Sequence, residues 1–175
     1  MNKPLHYSGL SKLNHWLTAL LVTAMLVLGF AASGAPDDAT ESYLMSLHIG
    51  LGFFVFLVVI WRVAYRLYEG FKANTATTAP ERWLAWAVHR LLLLALVLQV
   101  ITGPLYLFTE GEGVDVIGWF TVYIPLQSLA VIHEPAELVH VVSGLYLIPG
   151  LIVLHVLGAA RHYLGGSEQS RSMDL

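Results

Sequence analysis

The sequence predicts an all-α protein built as an integral membrane four-helix bundle, and three observations predict it. Of its 175 residues, 57% are hydrophobic and only 12% charged, roughly half the charged share of a soluble domain. Four uncharged apolar stretches, Leu13 to Pro36, Ser42 to Trp61, Leu91 to Thr109 and Leu138 to Ala160, each approach the roughly 20 residues that a helix needs to cross a bilayer. All nine Lys and Arg residues (Lys3, Lys12, Arg62, Arg66, Lys72, Arg82, Arg90, Arg161, Arg171) fall at the N-terminus, between the second and third stretches, or at the C-terminus. With four crossings those places share one face.

The whole chain reads as a single transmembrane domain, 1–175, with helices over about 12–34, 42–68, 82–109 and 136–163. The first stretch has no convincing small-residue cleavage site and carries a polar Asn14-His15-Trp16 at its entrance, so it is expected to be a permanent span rather than a signal peptide. The positive-inside rule puts the cationic face, and with it both termini, in the cytoplasm. The other face receives Asp37, Asp38, Glu41, Glu110, Glu112, Asp115, Glu134 and Glu137 with no Lys or Arg to balance them. A fifth uncharged stretch, Val116 to His133, would reverse the topology if it crossed. Gly118, Pro125 and Gln127 weaken it as a lipid-facing helix, so it is expected to form an interfacial cap over about 116–132 on the acidic side. The segment 70–80 reads as a short linker.

Composition also excludes several functions. With no Cys there is no disulfide framework, thiolate zinc site, iron–sulfur cluster, Cys nucleophile or c-type haem attachment. The net charge of −3 and the absence of any basic run argue against nucleic acid as a partner, leaving the lipid bilayer as the certain one. No catalytic side chain stands out.

Eight histidines are the chemical signal, because an imidazole at membrane depth needs a partner or a cofactor. His48 and His140 lie near the acidic-side ends of the second and fourth spans, and His15 and His155 near the opposite ends of the first and fourth. Two depth-matched pairs on different helices are what bis-imidazole haem ligation requires, with the four histidines as axial ligands to iron. His140 and His155 are 15 residues apart, about 22 Å of rise and about 60° around a straight helix. That separation would stack two haems across the bilayer. Gly50, Gly52, Gly144 and Gly158 follow these histidines and would leave room for a flat macrocycle, or serve plain helix packing. His89 and His162 adjoin Arg90 and Arg161 near the cationic interface, whereas His6 and His133 read as solvent or interface residues. A histidine-lined proton or metal-ion pathway is the reading from another class. It is disfavoured because the spans contain no Asp or Glu relay.

The run Leu13-Asn14-His15-Trp16-Leu17, the segment Leu47-His48-Ile49-Gly50-Leu51-Gly52 ending in Trp61-Arg62, Val88-His89-Arg90-Leu91 with Thr102-Gly103, and His155 followed by Ala159-Ala160-Arg161-His162 resemble the bacterial cytochrome b561 family. That family is related to the cytochrome b subunits of hydrogenases and formate dehydrogenases. The resemblance implies His48 and His140 on an outer haem, His15 and His155 on an inner one, and electron exchange with membrane quinone, ubiquinone or menaquinone. It puts His89, His162, Arg90 and Arg161 near a quinone site or the haem propionates. The sequence departs from the family pattern in one place, the 15-residue spacing on the fourth helix where the family has 14, which an extra residue near Pro149 would explain. The resemblance also raises superoxide oxidation, with electrons passing from superoxide to ubiquinone. Eight carboxylates without a cation on the outer face would repel that anion and attract a cationic periplasmic redox protein such as a cytochrome c. Protein-partnered electron transfer is therefore the preferred expectation.

Overall fold

The computed structural model describes residues 8–70 and 78–164; Lys3, His6, Lys72, Arg171 and most of the 70–80 linker lie outside the described residues. Four helical spans are long and apolar enough to cross a membrane. They are α1 (Gly9–Ser33), α2 (Asp38–Glu69), α3 (Ala79–Glu110) and a composite fourth span, α4 (His133–Val142) continuing through a π-turn (Ser143–Leu147) into α5 (Ile148–Leu164). α1 packs chiefly on α2, and α3 on α4 and α5.

The helices begin earlier than hydropathy indicates because caps, not lipid, set their ends. The Ser8 side chain accepts the Ser11 amide at 3.2 Å to open α1, and Asp37 accepts the Thr40 amide at 2.8 Å to open α2. Asp37 also accepts the Thr40 hydroxyl, and these bonds hold its carboxyl below the usual carboxylate range. Thr78 caps α3, with Pro80 in the first turn where its missing N–H costs nothing.

Apolar side chains cover the outside of the bundle. Leu20, Leu57, Leu94 and Leu157 are all more than half exposed, while the interior holds small clusters such as Val22, Ala95, Ile148 and Leu151. This is the arrangement of a protein whose solvent is hydrocarbon, where packing and interhelical hydrogen bonds hold helices together. The chain is a multi-pass membrane protein. Its cation-bearing and carboxylate-bearing ends are called the basic and acidic ends below.

The stretch 116–133 forms no continuous helix. β1 (Val114–Asp115) and β2 (Thr121–Val122) pair antiparallel, and a 3₁₀ helix (Gln127–Ile132) leads into α4. This hairpin is the one β element among the described residues of an otherwise helical chain. Its turn needs left-handed backbone at Ile117 (φ 54°) and Gly118 (φ 71°), closed by the Gly118 amide donating to Asp115 Oδ1 at 2.7 Å. A β-branched residue at positive φ is strained. Packing holds it there: Val116 is fully buried with Phe108 and Val114 against Phe53 and Phe54 of α2. The turn also lies so close on Gly50 that a Cβ there would come within 3.0 Å of hairpin backbone. Gly50 therefore serves the hairpin, not a macrocycle.

Candidate functional site

At the acidic end, α2 and α4 bring the rings of His48 and His140 to 6.2 Å between centres, with their planes at 86°. At the basic end, α1 and α5 bring His15 and His155 to 6.1 Å at 75°. A metal–imidazole bond of about 2.0–2.1 Å on each side, plus about 1 Å from nitrogen to ring centre, calls for roughly 6 Å between centres. Both predicted pairs meet that spacing. The residues present thus fit a metal-centred cofactor held from two faces.

Glycines line the acidic-end pair. A Cβ on Gly29 of α1 would touch the His48 ring at 3.4 Å, and one on Gly103 of α3 would meet His140 Cε1 at 2.7 Å. His140 Nδ1 lies 3.0 Å from the Gln99 carbonyl oxygen. Donation of that N–H leaves Nε2 as the nitrogen with a lone pair to offer and fixes the ring, the support that metal-bound histidines commonly receive. The Gln99 amide lies 3.3 Å from His140 Nε2 and accepts the Ser143 hydroxyl. Gly144 presses on the same amide, where a Cβ would sit 2.9 Å from Nε2. Gln99, Ser143 and Gly103 had no assigned role in the sequence reading. Their signal was a lone amide in an uncharged span.

The π-turn accounts for the spacing on the fourth span. A π-turn takes one more residue per turn than an α-helix, so the 15 residues between His140 and His155 keep about the phase of 14. Ser143–Leu147 ends just before Pro149, the place where the extra residue was expected.

The basic-end cluster differs in composition. His155 has a second neighbour, His89 of α3, at 5.1 Å and 72°, closer than the roughly 6 Å that two ligands of one metal require. Arg62 Nη2 lies 3.1 Å from His15 Nδ1 while its Nη1 donates to Asn14 Oδ1 at 3.2 Å. Arg66, one turn on, is buried. The two predicted arginines go elsewhere: the Arg90 guanidinium lies 4.3 Å over the Trp86 ring, and Arg161 pairs with Glu81. His162 belongs to α5, but its side chain lies outside the described residues.

At the acidic surface, His133 is more than a solvated residue. Its Nδ1 lies 3.1 Å from the Tyr106 carbonyl oxygen, and its ring packs edge-on with Tyr106, which also packs with His140 at 5.8 Å. Thr109, Glu110, His133 and Glu134 line an open depression there.

Comparison with known proteins gives two findings. A family model described as prokaryotic cytochrome b561 matches residues 6–173. "Cytochrome b561 homolog 2" of Escherichia coli (strain K12) is 27% identical over 164 residues, covering 93% of this chain and 87% of the relative.

Proposed function

Because the chain belongs to the prokaryotic cytochrome b561 family, a family of transmembrane b-type cytochromes that transfer electrons, we propose that it carries two haem b groups and moves electrons between a periplasmic partner and membrane quinone. The observation that carries this reading is the pair of crosswise histidine couples, 6.2 and 6.1 Å between ring centres, at opposite ends of one bundle. Bound haem supplies a one-electron iron couple whose potential its axial ligands and surroundings set. The chain supplies the ligands, a dry apolar sheath, and charge of opposite sign at the two ends.

His48 and His140 hold the acidic-end group, and His15 and His155 the basic-end group. The basic end faces the cytoplasm of the inner membrane, in accord with its cations. Quinone reacts there, beside His89, whose ring adjoins His155. His is the side chain best suited to exchange a proton with a quinone oxygen near neutral pH. His162 is the second candidate for that proton exchange. The partner at the acidic end is a cationic redox protein, which Glu110, Glu134 and Glu137 around the Tyr106–His133 surface attract.

Haem per chain and donor kinetics test the proposal together. Two haem b per chain are expected, with reduction by a cationic cytochrome slowing steeply as salt shortens the Debye length from about 10 Å at 0.1 M to about 3 Å at 1 M. One haem per chain would end the di-haem reading. Fast superoxide-driven quinone reduction at low salt, with indifference to cationic proteins, would make superoxide the donor.

A further inference from the structure

The two members of the acidic-end couple differ in what packs on them. Gly29 of α1 stands at the His48 ring, where a Cβ would already touch it at 3.4 Å, and among the described residues His140 is the one ring that packs on His48. His140 has a further neighbour in Tyr106, whose ring meets it at 5.8 Å between centres with the planes at 62°. Tyr106 in turn meets His133 at 6.0 Å and 79°. Both spacings are those of aromatic rings in edge contact. Three rings therefore run in series from a proposed ligand to the acidic surface.

His133 is the outer ring of that series, and the chain clamps it. Its Nδ1 lies 3.1 Å from the Tyr106 carbonyl oxygen and 3.3 Å from the Thr109 hydroxyl. A carbonyl oxygen only accepts, so Nδ1 carries the proton and donates. The opposite nitrogen, Nε2, faces Glu137 at 3.9 Å, and 26% of the side chain is exposed. That exposed part lines the open depression with Thr109, Glu110, Val131 and Glu134. The ring series thus ends where carboxylates gather, at the surface that attracts a cationic partner. A clamped ring makes a steady bridge, because an electron tunnels more readily through atoms in contact than across a gap.

We propose that Tyr106 and His133 couple the acidic surface electronically to His140, which makes the depression over His133 the place where electrons pass between an outer donor and the bundle. The inference rests on the di-haem reading and adds a point of entry to it. Neither ring is oxidised or reduced on the way. The donor loses one electron, the acidic-end haem iron gains it, and no bond or proton changes hands. The Tyr106 hydroxyl has no part in the route, because the ring makes the contact with both histidines. Tyr106 acts on the iron through His140 alone.

The test puts the donor at a chosen point. Because the chain has no Cys, a single introduced Cys can carry a thiol-linked ruthenium polypyridyl label. A light flash then injects one electron from the label into the oxidised acidic-end haem, and a sacrificial amine restores the label. Val131→Cys puts the label on the depression, where that residue is 84% exposed. Ala39→Cys puts it at the exposed start of α2, the helix that carries His48. Tyr106→Leu should slow injection from position 131 several-fold and leave injection from position 39 unchanged. Tyr106→Phe keeps the ring and should restore the rate. His133→Leu should also slow injection from position 131, and it decides the matter if Tyr106→Leu fails to hold haem. Redox titration and haem content on the same samples should show the acidic-end potential unmoved. An unchanged rate from position 131 in either leucine variant, equal slowing from both labels, or a phenylalanine variant as slow as the leucine one would each overturn the route. A shift of the acidic-end potential that accounts for the slower rate would do the same. A wild type without the acidic-end haem fails the di-haem reading itself, and the route with it, and the haem count shows that before any flash.

Discussion

The two histidine couples share a ring spacing and differ in nearly everything around it. At the acidic end the rings of His48 and His140 meet glycine, backbone carbonyl and a neutral amide. At the basic end His15 and His155 meet a guanidinium, an asparagine and a third histidine. One environment is uncharged and tightly fitted, with the Tyr106 ring at 5.8 Å from His140, so it fixes a ring without bringing a charged group to it. The other adds a guanidinium from α2 and an imidazole from α3. A site exchanging only electrons needs the first kind, and one exchanging electrons together with protons needs the second. The difference between the ends therefore gives direction to a bundle whose ligand pairs alone are nearly symmetric.

The largest expected effects come from the ligands themselves. His48→Ala and His140→Ala should each abolish the same spectral component, and His15→Ala and His155→Ala the other, read from reduced-minus-oxidised spectra and haem per chain. Loss of one shared component by His15→Ala and His48→Ala would dissolve the comparison, because the couples would no longer be separate sites.

Next in size are changes to the phase of the fourth span. Deleting Leu145 should turn the π-turn into regular helix and restore 14-residue spacing, leaving both haems bound. Deleting Val153 leaves the π-turn in place and swings α5 by about 100° relative to α4, so one couple should lose its haem. Equal outcomes for the two deletions would mean that the π-turn does not set ligand phase.

Glycine substitutions probe the fit of the neutral site, and they should be graded. A Cβ on Gly103 would stand 2.7 Å from His140 Cε1, one on Gly29 3.4 Å from His48, and one on Gly158 would meet nothing within 4 Å. Overpacking typically costs about 1–3 kcal/mol. Gly103→Ala should therefore deplete the acidic-end haem, Gly29→Ala should have little effect, and Gly158→Ala should match wild type. The measurement is haem content after purification, with the basic-end component as internal control.

Much of this was legible in the sequence, because a bilayer imposes one-dimensional rules. Span length and the segregation of cations follow from lipid thickness and insertion, so four crossings and depth-matched histidines could be read from residue order alone. What could not be read depends on which side chain crosses to which helix. Gly50 follows His48 and looks like room for a cofactor, yet it is where hairpin backbone lies, because the left-handed turn at Ile117 and Gly118 packs there. Arg90 and Arg161 adjoin His89 and His162 in sequence, yet Arg62, 47 positions from His15, is the arginine that reaches a proposed ligand. Gln99 is silent in any helical pattern until His140 and Ser143 are seen on either side of it. The 15-residue spacing was the exception, a local irregularity that sequence could flag and only a π-turn could explain.

The smallest effect sharpens the comparison most. The Ser143 hydroxyl donates to Gln99 Oε1 and lies 3.5 Å from the His140 backbone carbonyl oxygen, while the Gln99 amide nitrogen lies 3.3 Å from His140 Nε2, so Ser143 acts on the His140 ring by way of the Gln99 amide. Interhelical hydrogen bonds in membranes average about 0.6 kcal/mol, so Ser143→Ala should barely lower stability and should keep both haems. Without that anchor the Gln99 amide is freer to turn, and the field it presents beside His140 changes. The acidic-end potential should then move by a few tens of millivolts at most, since about 59 mV would be a full tenfold change for one electron, while the basic-end potential stays fixed. The same titration of Gln99→Leu should give a larger shift of the acidic-end component alone. If both variants instead move the basic-end potential, or move neither, the amide is only helix glue, and the neutral end owes its character to apolar packing rather than to an oriented dipole.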